Sequence, residues 1–254
     1  MPEIDKAEHF KSLHVAGNPL VVYNIWDAGS AMCLAQQGAT AIATGSLSVG
    51  ASQGFADGEV IPLQRALETA QQIAQSVDIP VSLDFEGGYA RDPETLKANI
   101  KAVIATGVIG INLEDQIVKG TGLYALTEQV ARLKAVRHAA EQQGMPLFLN
   151  ARTDIFLKTQ PAQHHEALVD QALERAAAFT EAGADGFFIP GLTDPALIAK
   201  ICKNTSLPVN VLMRGGLETI AQVADLGVAR ASYGPGPYLA AMQDLAARFE
   251  NLPS

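Results

Sequence analysis

The sequence has little of what would send a chain to a membrane, to nucleic acid or to an oxidising compartment. Its only two cysteines, Cys33 and Cys202, lie far apart and outside any CxxC or Cys/His spacing. Neither a disulfide framework nor a zinc site is supported, and both thiols are expected as small buried hydrophobes. Positive charge is scarce: 18 Lys and Arg against 27 Asp and Glu leave a formal net charge of −9. That removes the electrostatic footprint that phosphate backbones and anionic lipids require, so no nucleic-acid or membrane partner is expected. No apolar run approaches the roughly 18 residues that read as a membrane span. The start, MPEIDKAEHF, lacks a basic n-region and an apolar h-region, which points to a cytoplasmic protein. Linkers rich in serine, glycine or charge are missing too. What is there is 48% apolar content over 254 residues, enough for one large core and incompatible with disorder.

Short apolar segments alternate with longer helical ones from end to end. Strands are expected at residues 20–26, 41–45, 81–86, 109–114, 147–152, 186–190, 209–212 and 229–233. Helices are expected at 30–37, 62–76, 93–105, 127–142, 164–181, 195–203, 218–224 and 238–250, with an extra one at 5–14 before the first strand. Pro62, Pro93 and Pro195 sit where a first-turn proline is tolerated, and Gly38, Gly107, Gly144, Gly183 and Gly227 follow helix ends. Eight βα units in a row favour an α/β fold of the (β/α)8 TIM-barrel type, a single domain over residues 1–254, with the extra N-terminal helix covering the barrel's bottom. A doubly wound sheet is the alternative, because spacing does not show closure.

Side chains of a strand alternate between two faces. Val81, Leu83 and Phe85 take one face of the third strand, and Ser82, Asp84 and Glu86 the other. In the fourth, Asn112 and Glu114 oppose Ile109, Ile111 and Leu113; in the fifth, Asn150 and Arg152 oppose Leu147, Leu149 and Ala151; in the seventh, Asn210 opposes Val209 and Val211. Asn24 and Trp26 of the first strand and Thr44 and Ser46 of the second are read as inward in the same way. Polar groups out of water cost several kcal/mol each unless paired, roughly, so an interior with three carboxylates and an arginine calls for a ligand or ion. The charged members end their strands, on the face where barrel active sites form. Asp84, Glu86 and Glu114 offer oxygen ligands only, which suits a hard cation: Mg²⁺, with Mn²⁺ as the substitute. Arg152 has the geometry to clamp a substrate carboxylate, or to pair with Glu114 or Asp154 alone.

Two long connections point to the same rim. GSLSVGASQGFADGEV, residues 45–60, can present the amides of Ser46, Leu47 and Ser48 to an anion and carry Asp57 over the site. DQIVKGTGLYAL, residues 115–126, carries Lys119 as a candidate lid lysine, or as a plain surface lysine, and Tyr124 as a candidate general acid by position alone. The glycine-rich MRGGLE and YGPGPY segments after the last two strands resemble the phosphate corner of other barrels, or serve only tight turns.

The runs YNIWDAGSA, TGSLSVGASQGFADGE, SLDFEGGY, INLED and NARTD, in that order between about residues 10 and 240, resemble the isocitrate lyase/phosphoenolpyruvate mutase superfamily. The resemblance implies a (β/α)8 barrel whose final helix is exchanged with a neighbour in a homo-oligomer, a dimer of dimers. It implies Mg²⁺ held directly by Asp84 and largely through water by Glu86 and Glu114, Glu86 standing where aspartate is more common. It places Trp26, Ser46, Leu47, Asp57 and Arg152 in a pocket for a small 2-oxo or 2-hydroxy acid, and implies chemistry next to an enolate. The KKCGH signature of the isocitrate and methylisocitrate lyases is absent, and Lys119 is followed by Gly120 and Thr121 rather than closely by the asparagine of the phosphorus–carbon enzymes. The expectation is therefore a Mg²⁺-dependent carbon–carbon lyase acting on small 2-oxo or 2-hydroxy mono- or dicarboxylates such as oxaloacetate or malate-like acids, with Arg152, Asp57 and Lys119 as catalytic residues and Asn210 among the substrate contacts. Phosphorus–carbon chemistry, or a silent 2-oxo acid binding protein, is the alternative.

Overall fold

The computed structural model describes residues 3–252. The chain runs α1 (Glu3–Ser12), β1 (Leu20–Val22), β2 (Asn24–Ile25), α2 (Ala28–Gln36), β3 (Ile42–Thr44), α3 (Ser46–Ser52), α4 (Leu63–Ser76), β4 (Val81–Asp84), α5 (Pro93–Ile104) and β5 (Gly110–Glu114). It continues through α6 (Leu126–Gln142), β6 (Phe148–Arg152), α7 (Glu166–Glu181), β7 (Gly186–Phe188), α8 (Pro195–Asn204), β8 (Val209–Leu212), α9 (Ile220–Asp225), β9 (Arg230–Ser232) and α10 (Gly236–Glu250). Proline opens α5 and α8 as expected, whereas Pro62 stands one residue before α4. Asp92 and Asp194 cap α5 and α8 ahead of Pro93 and Pro195, and Asp27 accepts from the Ser30 amide at 2.7 Å to start α2.

All strand pairs are parallel, and β1 and β2 are one stave interrupted at Tyr23. β1 pairs with β9 while β2 pairs with β3, so the sheet closes and the count is eight staves: a (β/α)8 barrel, not an open doubly wound sheet. Asn24 holds the seam. Its Oδ1 accepts from the amides of Tyr233 and Gly234 at 2.9 and 2.8 Å, and its Nδ2 donates to the Thr44 carbonyl at 2.7 Å.

The register tells which side chains share the interior. Ser82 is level with Ala43 and Gly110, Asp84 with Asn112, Asn112 with Asn150, Glu114 with Arg152, Phe188 with Asn210, and Asn210 with Arg230. The inward stripe of β4, β5, β6 and β8 is therefore as the alternation requires. On β3 it is not. Ala43 shares the face of Ser82, which turns Thr44 towards the helices, where its Oγ1 accepts from the Asp84 amide at 2.9 Å. The glycine-rich connection after β3 also differs from expectation, because it folds into α3 before the loop begins. Cys33 is exposed on α2 rather than buried, and Cys202 is half-buried.

At the bottom, α1 closes the barrel. Phe10, fully buried, meets Phe148 edge-on with centroids 5.2 Å apart, and His14 stacks on Phe148 at 4.1 Å. Gly110 makes room for this plug: a Cβ there would stand 3.2 Å from both Phe10 Cε1 and Phe148 Cβ. Above it lies a polar middle layer. Asn150 Nδ2 donates to Asn112 Oδ1 at 2.9 Å, Ser232 Oγ to Asn210 Oδ1 at 3.1 Å, and the fully buried Arg230 through Nε to Ser232 Oγ at 3.2 Å. No helix among the described residues is long and apolar enough to cross a membrane.

Candidate active site

Three neighbouring staves end in charge at the C-terminal mouth: β4 in Asp84, β5 in Glu114 and β6 in Arg152. Arg152 joins them. Its Nε and Nη2 grip Asp154 at 2.6 and 3.0 Å in a bidentate fork, and Nη1 lies 3.1 Å from Glu114 Oε2 and 4.0 Å from Asp84 Oδ1. Burial works against the charge of Arg152, but Glu114, Asp154 and Asp84 outweigh it and push its pKa up. Asp84 Oδ2 accepts from the Ser46 amide at 3.1 Å, whereas the buried Oδ1 has no hydrogen-bond partner.

Beyond β4 the chain turns sharply. Glu86 adopts a left-handed φ of 50°, and its Oε2 accepts from the Glu59 amide. Glu59, also left-handed, accepts from the Tyr89 amide at 2.7 Å, so the loop carrying Asp57 is fastened to the loop after β4. Arg132 of α6 braces that second loop from below. It donates to the carbonyls of Gly87, Ala90 and Arg91 at 2.5, 2.6 and 2.9 Å, with Tyr124 over its guanidinium at 4.3 Å.

Negative charge is in excess here. Burial, then the charges of Asp84 and Asp57, pushes the Glu86 carboxyl up to about 8. Burial holds Glu114 well above the usual carboxylate range, with Arg152 opposing it only in part. Among the described residues no three His, Cys, Asp or Glu side chains converge closely enough to enclose a metal ion by themselves. The free Oδ1 of Asp84, flanked by carboxylates that burial drives towards protonation, fits one inner oxygen ligand with the others acting through water.

A pocket of about 180 Å³ opens onto this mouth, bordered by Ser46, Leu47, Asp57, Asp84 and Arg152, and also by Asn24, Asn112, Phe188 and Arg214. It is smaller than the ~300 Å³ at which pockets for drug-sized ligands begin, which suits a small acid rather than a nucleotide. The remaining sequence candidates lie elsewhere. Trp26 packs edge-on against Tyr238 of α10 at 5.2 Å and beside the Val49–Ile61 cluster. Asn210 sits one layer down, bonded to Ser232. Lys119 and Tyr124 border a separate depression with Glu59 and Arg91. Glu114 stands behind Arg152, and Glu86 borders a small cavity on the Tyr89 side. Sequence reasoning passed over Glu59, Arg132 and Arg214. The third had a legible signal, since it lies two residues past the end of β8 at the rim.

A closed parallel barrel with carboxylates and a guanidinium gathered at the C-terminal mouth around a small pocket is the frame of a barrel enzyme that handles small acids. The chain belongs to the phosphoenolpyruvate phosphomutase family, which it matches over residues 10–252. Among solved structures it is similar to a Burkholderia cenocepacia J2315 protein provisionally named a phosphonomutase, with 45% identity, a TM-score of 0.95 and 98% of each chain covered. Among sequences it is 36% identical to an uncharacterised Mycobacterium tuberculosis protein over 92% of this chain and 84% of that one. It is 26% identical to an oxaloacetate decarboxylase of Pseudomonas syringae pv. tomato over 94% and 82%.

Proposed function

We propose that the chain is a Mg²⁺-dependent lyase, with Mn²⁺ as a substitute ion, that cleaves or forms a carbon–carbon bond in a small 2-oxo or 2-hydroxy acid through an enolate-like intermediate. The observation that carries this reading is Asp84: one oxygen is fixed by the Ser46 amide and the other is buried, unpartnered and turned towards Arg152 at the mouth. A buried carboxylate oxygen left without a donor costs about 1–3 kcal/mol or more, so the site is built to receive a positive group. A bound divalent ion supplies Lewis-acid stabilisation of the charge that develops on the substrate.

The chain's own residues do the rest. Ser46 and Leu47 form the wall beside Asp84 and receive the acid, Asp57 borders it from the loop held by Glu59, and Arg152 fixes Glu114 and Asp154 so that the carboxylates keep one geometry. The hairpin that carries Lys119, closed by the bridge between Gln116 and Leu123, would serve as a cover. The oxaloacetate decarboxylase relative supports carbon–carbon chemistry on a 2-oxo acid. The same proposal includes one cytoplasmic domain and a homo-oligomer, a dimer of dimers with α10 exchanged. Its support is the apolar face of α10, where Leu239, Met242, Leu245 and Phe249 are exposed.

The test is a screen of oxaloacetate, malate-like acids, methylisocitrate and phosphonopyruvate for release of pyruvate or glyoxylate, with Mg²⁺ and with EDTA. Release from a carbon–carbon substrate that EDTA abolishes is expected. Turnover of phosphonopyruvate alone moves the assignment to phosphorus–carbon chemistry, and binding without turnover makes the protein a 2-oxo acid binder.

A further inference from the structure

Two guanidinium groups border the mouth pocket, and only one is free. The fork of Arg152 is spent on Asp154, and its remaining nitrogen faces Glu114, so three hydrogen-bonding directions already end on carboxylates. Arg214, the second residue after β8, borders the same pocket, is exposed, and takes part in none of the ion pairs among the described residues. Its backbone is set rather than loose. Met213 still joins the barrel by donating to the Ser232 carbonyl at 2.8 Å, and the Arg214 carbonyl accepts from the Leu217 amide at 3.3 Å across a turn.

The position of that cation in the barrel matters more than its presence. Asp84 ends β4, the third stave, and Arg214 follows β8, the seventh of eight. The two therefore stand across the mouth from each other, with Phe188 and Pro190 of the β7 end forming the wall between Arg152 and Arg214. A 2-oxo or 2-hydroxy acid held at the Asp84 side extends its far end towards Arg214. We propose that Arg214, not Arg152, receives the distal acid group of a dicarboxylate substrate and so sets the preference for it over a monoacid. This deepens the proposed function and rests on it.

The experiment compares ligands that differ only at the far end. Affinities of the full chain with Mg²⁺ are measured by calorimetry for malate, for lactate, which lacks the distal carboxylate, and for oxalate, whose two carboxylates adjoin and leave no distal group. Each is repeated with Arg214→Gln and Arg214→Lys. A charge-assisted hydrogen bond gives about 10- to 100-fold in affinity. Wild type is expected to prefer malate over lactate by that factor, Arg214→Gln to lose the preference while keeping oxalate affinity within about threefold, and Arg214→Lys to restore part of it. A malate preference that survives Arg214→Gln, or no preference in a wild type that binds oxalate, overturns the assignment of Arg214 alone. Binding of none of the three acids to the wild type overturns the proposed function and this inference with it. A phosphonate analogue of malate, run in parallel, tells which acid group the far end takes, through the larger loss on Arg214→Gln.

Discussion

The two ends of the barrel solve opposite problems with the same alternation of side chains. At the bottom, Phe10, His14 and Phe148 fill the space left by Gly110, with the fully buried Arg230 guanidinium 5.8 Å from the Phe10 ring. At the mouth, Asp84, Glu114 and Asp154 crowd around Arg152, an Asp84 oxygen is left without a donor, and the backbone turns left-handed at Glu59 and Glu86. The bottom is closed by aromatic packing, whereas the mouth keeps a charged geometry that favours a bound ion and acid.

The sharpest way to test that division is to remove one residue from each end. Asp84→Ala is expected to lower Mg²⁺-dependent turnover by ~10³-fold or more, as the loss of several kcal/mol of charge stabilisation requires. The melting temperature should stay the same or rise, because a partly unpaired buried carboxylate is gone. A variant that melts far lower with activity intact would reverse the roles of the two ends. Phe10→Ala should do the opposite, destabilising the fold by about 3–5 kcal/mol while oxalate affinity of the folded fraction stays near that of the wild type.

A smaller effect concerns pH at the plug. Burial, and then the charge of Arg230, holds the His14 pKa down to about 3, with the Phe10 carbonyl and Asp185 pulling the other way. The unfolded chain takes up that proton near pH 6.5 and the folded chain does not. The contribution of neutral His14 is therefore present above about pH 6.5 and is lost progressively as pH falls from there towards 3. His14→Asn, which keeps a donor for the Phe10 carbonyl and cannot titrate, should melt lower at pH 7.5 but show a flatter decline between pH 7 and 5. Equal slopes in the two proteins would remove His14 from the account.

Much of this architecture was legible because alternation along a strand is strict. Once β5 and β6 were placed, Asn112, Glu114, Asn150 and Arg152 had to share a face, and the register puts them level. Depth along the axis is a different matter. Asn210 faces inward as its parity demands, yet lies in the middle layer because stagger between staves, not parity, sets height. Trp26 sits one residue past β2, where alternation stops applying. Thr44 was misplaced for a related reason: the register of β3 against β4 puts Ala43, not Thr44, on the inner face. The helix α3 hid in SLSVGAS, whose serines and central glycine read as loop. Arg214 was hidden by its neighbours, since the two glycines after it drew attention to the backbone and away from the side chain.

The seam at Tyr23 leaves one amide side chain to do the work of several rungs of a ladder. Asn24 accepts twice from one neighbouring stave and donates once to the other, a pattern that needs both halves of a carboxamide. Aspartate would keep the acceptors, lose the donor and add a charge; serine is too short; alanine would unbuckle all three. Asn24 thus bonds both neighbouring staves where the ladder switches from β9 to β3, adding side-chain rungs to the backbone pairs on either side, at a place set by closure rather than by chemistry.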